Sequence, residues 1–185
     1  MVAMTLLRRD GRAENELRPF ASEQGALFRA DGSARMSHGG STVVAAVYGP
    51  GQARNWRAEK ADMATLDVCF KLEKGISIAI NAVSLALMDA GVPMASVVTA
   101  TSCSIAMDGN LYLDPTSAEE EKAVSWVISA RSCSNDGVLT CITNGLLSEE
   151  QYFACSEACQ RASESVAVFF RIVHQKKYPV EPTDH

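Results

Sequence analysis

The fold is decided by residues 29–50, which read RADGSARMSHGGSTVVAAVYGP. The Asp-Gly pair at 31–32 and the Gly-Gly pair at 39–40 are typical of tight turns, because glycine adopts a positive φ without strain. The residues around these turns are rich in β-branched and small side chains, which favour strands. We therefore expect a meander of antiparallel strands, at 20–28, up to Met36 and at 42–48.

In the middle of the chain, the spacing of apolar side chains changes from every second residue, typical of a strand, to a helical pattern. Residues 66–72 alternate apolar and polar side chains, which predicts a strand with one face on a core. From Ser77 to Ala90 the chain is apolar nearly all round, and Gly91 and Pro93 follow. This pattern predicts a buried central helix that ends at Gly91.

The second half predicts further strands and a long last helix. Thr116 or Ser117 is placed to cap a short acidic helix, and Ser148 with Gln151 forms a capping box at the start of the last helix. Apolar residues then recur at steps of three and four, typical of one helix face on a sheet. The strands are expected at 97–107, 111–113, 124–130 and 138–143, the last two joined by a turn at 135–137.

Composition sets the class of protein. The chain has 185 residues, of which 47% are hydrophobic, and this is enough for one sizeable core in a single domain. The formal net charge is −5. Residues 1–74 contain 11 Lys/Arg and 9 Asp/Glu, whereas residues 75–185 contain 6 and 13. This asymmetry would suit a protein with one face toward nucleic acid and others toward protein partners.

Cysteine usage and the apolar runs indicate the compartment. The six cysteines include no CxxC pair and no neighbouring His, so reduced core residues are favoured over a zinc site. Residues 1–7 form a short apolar stub followed by Arg8 and Arg9, which does not resemble a signal peptide. No apolar run is long enough to span a bilayer. A nuclear and cytoplasmic location is therefore expected.

An ordered set of motifs resembles the RNase PH-like family over nearly the whole chain. It begins with residues 8–19, RRDGRAENELRP, and continues through residues 29–50. Residues 85–94, LALMDAGVPM, then Asp108-Gly109 and Leu113-Asp114, complete it. The resemblance implies an α+β RNase PH-like domain spanning residues 1–185, with a mixed or antiparallel sheet packed against helices, a buried central helix and a long C-terminal helix.

The chain departs from the family pattern at the junction of Gly75 and Ile76. Family members usually carry here a basic helix, another strand and a Ser/Thr-Arg pair that binds phosphate, and none of these occurs in this chain. The strand predicted at 66–72 would pass to a buried helix with no turn signal between them. We therefore predict that a segment is missing at this junction.

The resemblance places an acidic site after the strand at 111–113. Active members use inorganic phosphate to degrade RNA from its 3′ end, which needs cations for the phosphate and carboxylates for a metal or a proton. Asp114 matches the first family aspartate, and Glu120 matches the second. The third lies near Ser125 or Trp126, which are not comparable metal ligands. A degenerate site is expected, and Asp114 before Pro115 is also an ordinary turn signal.

A basic loop is the candidate nucleic-acid contact. Its cations can follow a phosphate backbone while its indole stacks on a base, a combination suited to single strands. A solvated loop with internal ion pairs is the alternative. The loop residues concerned are Arg54, Trp56, Arg57 and Lys60.

The arginines near the start of the chain have acidic neighbours. On the family pattern, Arg12, Glu16 and Arg18 are predicted to serve structure and subunit contacts, with intramolecular ion pairs as the other use. His38, beside Gly39, has no carboxylate near it in sequence, so a turn histidine is favoured over a general base.

The residues and the resemblance together favour a non-catalytic RNase PH-like subunit of the RNA exosome ring. Its expected work is ring assembly and RNA binding in RNA processing and degradation, including ribosomal RNA, in the nucleus, nucleolus and cytoplasm. Its expected partners are other ring subunits and single-stranded RNA, with no resident cofactor and no membrane. The alternative is a homodimeric phosphorolytic or metal-dependent nuclease acting on RNA or DNA, for example in apoptosis, which would require Mg²⁺ and phosphate.

Overall fold

The computed structural model describes residues 8, 10–52, 64–71, 75–135 and 137–179. This part of the chain forms seven strands and three helices. In chain order they are β1 (Phe20–Gln24), β2 (Gly32–His38), β3 (Ser41–Val47), α1 (Ile76–Asp89), β4 (Val98–Ile105), β5 (Leu111–Leu113), α2 (Ser117–Glu120), β6 (Ser125–Ser132), β7 (Val138–Gly145) and α3 (Glu149–Lys177).

The first sheet has the antiparallel order β1-β2-β3, which confirms the predicted meander. Alternate side chains of β2 and β3, such as Met36 and Val43, are buried in one core with α1. The first strand ends at Gln24, earlier than the predicted residue 28, because Gly25 turns the chain with a φ of 75°.

The central helix α1 joins the two sheets. Ala82, Leu85 and Ala86 are fully buried, as the apolar pattern predicts. The Asn81 side chain donates to the carbonyl of Ala100 and accepts from its amide, both at 2.8 Å. It therefore satisfies backbone groups of β4 that a neighbouring strand would otherwise bind. At Gly32 a Cβ would lie 2.3 Å from the amide nitrogen of Ala90, so only glycine allows β2 to start against the end of α1.

The second sheet has the antiparallel order β5-β4-β6-β7 and packs against α3. The predicted capping box of α3 is present, with Ser148 accepting from the amide of Gln151. The apolar stripe of α3 packs on this sheet through Cys155 and Cys159. Its later residues Val166 and Phe170 pack in the core of the first sheet and α1. The hairpin predicted around 135–137 is confirmed as β6 and β7.

One predicted strand is wrong. Residues 64–71 are not in a strand, and Leu66, Val68 and Phe70 are 65%, 68% and 46% exposed. An alternating pattern specifies which face could be buried, but a strand also needs a neighbouring strand to bind its backbone groups. Neither sheet contains such a neighbour for this segment.

The cysteine prediction is confirmed in part. All six thiols are free, and Cys103, Cys155 and Cys159 are buried core residues. The prediction of burial is wrong for Cys69, Cys133 and Cys141, which are exposed. In the described part of the chain, no helix has the length and apolar character needed to cross a membrane.

Candidate acidic site around Asp114

Asp114 lies just after β5, in a strained and buried position. Its backbone φ is +49°, which is uncommon for a residue with a side chain. Its amide donates to the carbonyl of Ser102 at 2.8 Å, and the residue is only 2% exposed. Thr116 then caps α2 in a capping box with Glu119, which confirms the predicted short acidic helix.

Two arginines and a histidine surround the Asp114 carboxylate. Arg18 donates to both oxygens, from Nε to Oδ2 at 2.8 Å and from Nη2 to Oδ1 at 2.6 Å, and its amide donates to Oδ2 at 2.9 Å. Arg12 Nη1 lies 3.4 Å from Oδ2. The His38 Nε2 lies 3.0 Å from the same oxygen, and the imidazole stacks on Phe20 with ring centroids 4.1 Å apart.

These contacts fix the ionisation of Asp114. Burial raises the pKa of its carboxyl, but the contacts with Arg18 and His38 outweigh burial and hold the pKa well below its ordinary value. Asp114 is therefore a carboxylate at neutral pH. It has no proton to give, and both of its oxygens accept hydrogen bonds from Arg18.

A second ion pair lies behind the first. Arg8, whose side chain is fully buried, pairs with Glu119 and donates to the carbonyls of Leu113 and Asp114 at 2.6 and 3.1 Å. Burial raises the pKa of Glu119, but the hydrogen bonds from Arg8 and Thr116 lower it overall. We call these groups, Arg8, Arg12, Arg18, His38, Asp114 and Glu119, the Asp114 cluster.

The Asp114 cluster fastens residues 8–18 to the turn between β5 and α2. The intramolecular use of Arg12 and Arg18 is therefore confirmed. Arg12 pairs with its neighbour Asp10, from Nε to Oδ2 at 2.7 Å, as well as lying near Asp114, whereas the partner of Arg18 is Asp114, 96 residues away. Glu16 is exposed and accepts from the amide of Ala13 at 3.0 Å. The predicted subunit contacts of Arg12, Glu16 and Arg18 stay a prediction.

Glu120 occupies a different setting, in a cavity of about 50 Å³. Arg18 is the cation in the wall of this cavity, and the wall also contains Ser41, Ser77, Ser102 and Ser117. The Arg18 guanidinium already binds Asp114. The cavity therefore has one carboxylate and several hydroxyls but no uncommitted cation in its wall for a phosphate.

The third position of the acidic motif falls near Ser125 or Trp126, at the start of β6. Ser125 is 1% exposed, and its Oγ has no hydrogen-bond partner. Within the described ranges, no group of three or more His, Cys, Asp or Glu side chains is arranged to hold a metal ion. The described residues of the family's acidic motif therefore do not fit a divalent metal.

Two further features do not belong to the acidic motif. The predicted RNA-binding residues Arg54, Trp56, Arg57 and Lys60 lie outside the described residues, so their role stays a prediction. A larger groove of about 590 Å³ runs between residues 15–20 and α3. Its wall includes Leu17, Phe20 and Ala162 and is mainly apolar.

Two contacts were not predicted from the sequence, that of His38 with Asp114 and that of Arg8 with Glu119. His38 ends β2, and the antiparallel pairing with β1 brings it beside Phe20. No local signal joins either residue to the acidic motif, because the contacts depend on how the two sheets meet. The only sequence signal for such a cluster is an aspartate before Pro115, together with several arginines elsewhere in the chain.

Comparisons with known proteins agree with the fold. No family model matches the chain. The chain is similar to a protein of Arabidopsis thaliana named exosome complex exonuclease RRP46 homolog. The two are 30% identical, and the match covers 91% of this chain and 95% of the plant protein. The rice homolog of the same name is also 30% identical, over 93% of this chain and 97% of that protein. An archaeal exosome complex component Rrp41, from Thermoplasma volcanium, is 23% identical over 95% of this chain.

A solved structure gives the same result. The crystal structure of rice (Oryza sativa) Rrp46 superposes with a TM-score of 0.82 and 31% sequence identity, and the match covers 91% of this chain and all of the rice chain. Both the α+β fold and the resemblance noted from the motifs are thereby confirmed. The identity and the coverage show that the chain belongs to the RRP46 group of RNase PH-like exosome proteins.

Proposed function

We propose that this chain is a non-catalytic ring subunit of an RNA exosome and acts in RNA processing and degradation through assembly and RNA binding. Membership in the RRP46 group supports the exosome role. The state of Asp114 supports the absence of catalysis, because Arg18 binds both oxygens of its carboxylate, and Arg12 and His38 lie within 3.4 Å of Oδ2.

The chemistry of phosphorolysis explains why this observation supports the proposal. The attack of phosphate on RNA builds negative charge, which requires free cations and a metal or an acid at the reacting atoms. In the Asp114 cluster the arginines neutralise a carboxylate of the protein instead of a phosphate. Neither Ser125 nor Trp126 supplies a charge at the third acidic position.

A degradation assay tests the absence of catalysis. Single-stranded RNA is incubated with the purified chain, phosphate and Mg²⁺, and nucleoside diphosphates are measured. We expect no release above that of the Glu120→Gln variant, which keeps the Asp114 cluster intact. Steady release by the wild type that Glu120→Gln abolishes would overturn the proposal.

A nuclease acting on RNA or DNA is the second candidate, and Glu120 is the observation that favours it. Its carboxylate lines a cavity, whereas that of Asp114 is sealed. The same assay with linear DNA and Mg²⁺, without phosphate, addresses this candidate. Cleavage that depends on both Mg²⁺ and Glu120 would establish a metal-dependent nuclease in place of the non-catalytic role.

RNA binding is assigned to the basic loop. If Arg54, Arg57 and Lys60 contact phosphates, replacing all three by Ala lowers the slope of log affinity against log salt by about 0.7 for each lost contact. Trp56→Ala costs about 1–3 kcal/mol with little change of slope, because stacking releases no counterions. Fluorescence anisotropy at several salt concentrations measures both. Variants that bind like the wild type would remove the loop from the RNA path.

Ring contacts are assigned to residues near the start of the chain. Glu16 is exposed and can meet a neighbouring subunit directly, whereas Arg12 and Arg18 act by holding this part of the chain against the β5–α2 turn. Glu16→Lys should impair incorporation into a reconstituted ring without lowering the melting temperature. Normal incorporation of this variant would show the assignment of Glu16 to be wrong.

The proposed locations are the nucleus, including the nucleolus, and the cytoplasm, in keeping with work on ribosomal and other RNA. No resident cofactor is assigned, and Mg²⁺ and phosphate belong to the nuclease alternative. Imaging of the fluorescently tagged chain tests the location. Confinement to any other compartment would contradict it.

A further inference from the structure

One end of the first sheet leaves aromatic rings in water. Phe28, in the turn between β1 and β2, is 102% exposed, and Tyr48, directly after β3, is 69% exposed. His38, a member of the Asp114 cluster, lies at the opposite end of β2. The exposed rings are therefore at the end of the sheet that is away from the acidic motif.

Two hydrogen bonds hold Tyr48 beside the turn that contains Phe28. The amide of Asp31 donates to the carbonyl of Val47 at 3.0 Å. The Asp31 Oδ2 accepts from the amide of Gly49 at 2.8 Å. Asp31 thus contacts the residues on both sides of Tyr48 and lies three residues after Phe28, so the two rings belong to one surface.

The end of α3 meets the same turn at its first residue. A Cβ at Gly25 would lie 3.0 Å from Nζ of Lys177. The same Nζ lies 5.4 Å from the centre of the Tyr178 ring, and Tyr178 is 45% exposed. The turn 25–31 therefore has one aromatic residue near each end and Phe28 between them. We use the name aromatic surface for the side chains of Phe28, Arg29, Tyr48, Lys176 and Tyr178.

Unpaired positive charge accompanies these rings. Arg29 and Lys176 are exposed, and within the described part of the chain neither of them takes part in an ion pair. The nearby carboxylates are engaged, since Asp31 accepts from a backbone amide and Asp89 pairs with Lys177. The aromatic surface therefore offers two cations to an anionic ligand.

We propose that the aromatic surface is a base-stacking site for single-stranded RNA, separate from the basic loop and from the acidic motif. Exposed rings stack on bases of any identity, and adjacent cations contact the phosphates. Arg29 follows Phe28 directly, and Lys176 is two residues from Tyr178, so these rings each have a cation close by. The inference rests on the proposed RNA binding of this chain and adds a second contact to it.

The chemistry of the surface favours a single strand over a duplex and over a protein partner. In a duplex the bases already stack on one another, so their faces are not available to the rings. Lysine is depleted in protein–protein interfaces, whereas Lys176 is part of this surface. Single-stranded RNA supplies both the free base faces and the phosphates that the aromatic surface can bind.

Fluorescence anisotropy with a labelled single-stranded oligoribonucleotide of mixed sequence tests the site in the full chain. We expect Phe28→Ala to weaken binding about fivefold or more, with the slope of log affinity against log salt unchanged, because stacking releases no counterions. Arg29→Gln should instead lower that slope by about 0.7. Phe28 is fully exposed, so its removal leaves no cavity, and we expect an unchanged melting temperature.

Phe153→Ala is the matched control for the loss of an exposed ring. Phe153 is 60% exposed near the start of α3, 25 residues before Tyr178 and thus roughly 37 Å from it along the helix. We expect this variant to bind RNA like the wild type.

Tryptophan fluorescence tests direct stacking. Phe28→Trp keeps an aromatic ring, so it should bind RNA like the wild type, and its additional emission should be quenched by the single-stranded oligoribonucleotide. Phe153→Trp adds the same fluorophore to α3 and should show no additional quenching. The emission of Trp56 and Trp126, measured in the wild type, is subtracted from both. Duplex RNA of the same sequence should not quench the added emission of either variant.

The outcomes separate this site from the proposed function on which it rests. RNA binding that Phe28→Ala does not weaken, or that Phe153→Ala weakens equally, would overturn the stacking site and leave the RNA-binding role in place. A wild type that binds no single-stranded RNA would overturn both. Unchanged RNA affinity with loss of Phe28→Ala from a reconstituted ring would overturn the stacking site and assign the surface to a protein partner.

Discussion

Asp114 and Glu120 belong to the same short motif, yet their surroundings differ completely. Asp114 is 2% exposed and bound by three cationic or titratable side chains. Glu120 is half-buried and lines a small cavity. The difference shows that a matched catalytic position can act as a structural centre. Only the local environment distinguishes a carboxylate that could act on a ligand from one that holds the protein together.

The largest expected effect is that of removing the charge of Asp114. Asp114→Asn leaves the largely buried Arg18 without its counterion, whereas Arg12 keeps Asp10. The variant should destabilise the protein by about 3–5 kcal/mol. Urea unfolding at neutral pH measures this change. Glu120→Gln is the matched control and should cost less than about 1 kcal/mol. Similar losses for the two variants would remove the distinction between the carboxylates.

Acid should weaken the Asp114 cluster in a defined direction. The pKa of Asp114 lies below its ordinary value of 3.8, so the folded state binds fewer protons than the unfolded state. The stabilisation is therefore complete above pH 4 to 5 and declines as the pH falls.

For Asp114 alone, the loss by pH 3 should be about 1 kcal/mol. Urea unfolding of the wild type and Asp114→Asn between pH 7 and pH 3 provides the measurement, and the difference between them should narrow toward low pH. A difference that stays constant over this range would contradict the ionic role of Asp114.

The smallest effect is expected at Ser125, one of the two residues at the third motif position. The Ser125 hydroxyl is buried without a hydrogen-bond partner, so its removal in Ser125→Ala loses no bond and relieves an unsatisfied group. The free energy of unfolding should change by less than about 0.5 kcal/mol or increase slightly. Thermal melting at neutral pH measures it, and a loss above 1 kcal/mol would reveal a hidden partner for this hydroxyl.

The sequence predicted the features that depend on neighbouring residues. The capping boxes at Thr116 and Ser148, the buried α1 and the β6–β7 hairpin all follow from local patterns, and the structure confirms them. The motif also located Asp114 correctly at the end of a strand.

The features that the sequence could not predict depend on distant contacts. His38 meets Asp114, and Arg8 meets Glu119, only because the sheets and the first residues are brought together in the fold. The strand predicted at 66–72 failed for the same reason, since its alternation says nothing about whether a neighbouring strand exists. A residue pattern describes a single segment of the chain, whereas the Asp114 cluster combines side chains from several segments.

The ion pairs of Arg8, Arg12 and Arg18 also set an order of events during protein synthesis. Their partners, Asp114 and Glu119, leave the ribosome only after about a hundred further residues. Domains fold as units, and the nascent chain grows from its N-terminus. Until the β5–α2 turn has emerged, these arginines lack their contacts with Asp114 and Glu119, although Arg12 can already pair with Asp10. The beginning of the chain is thus among the last parts to reach its native contacts.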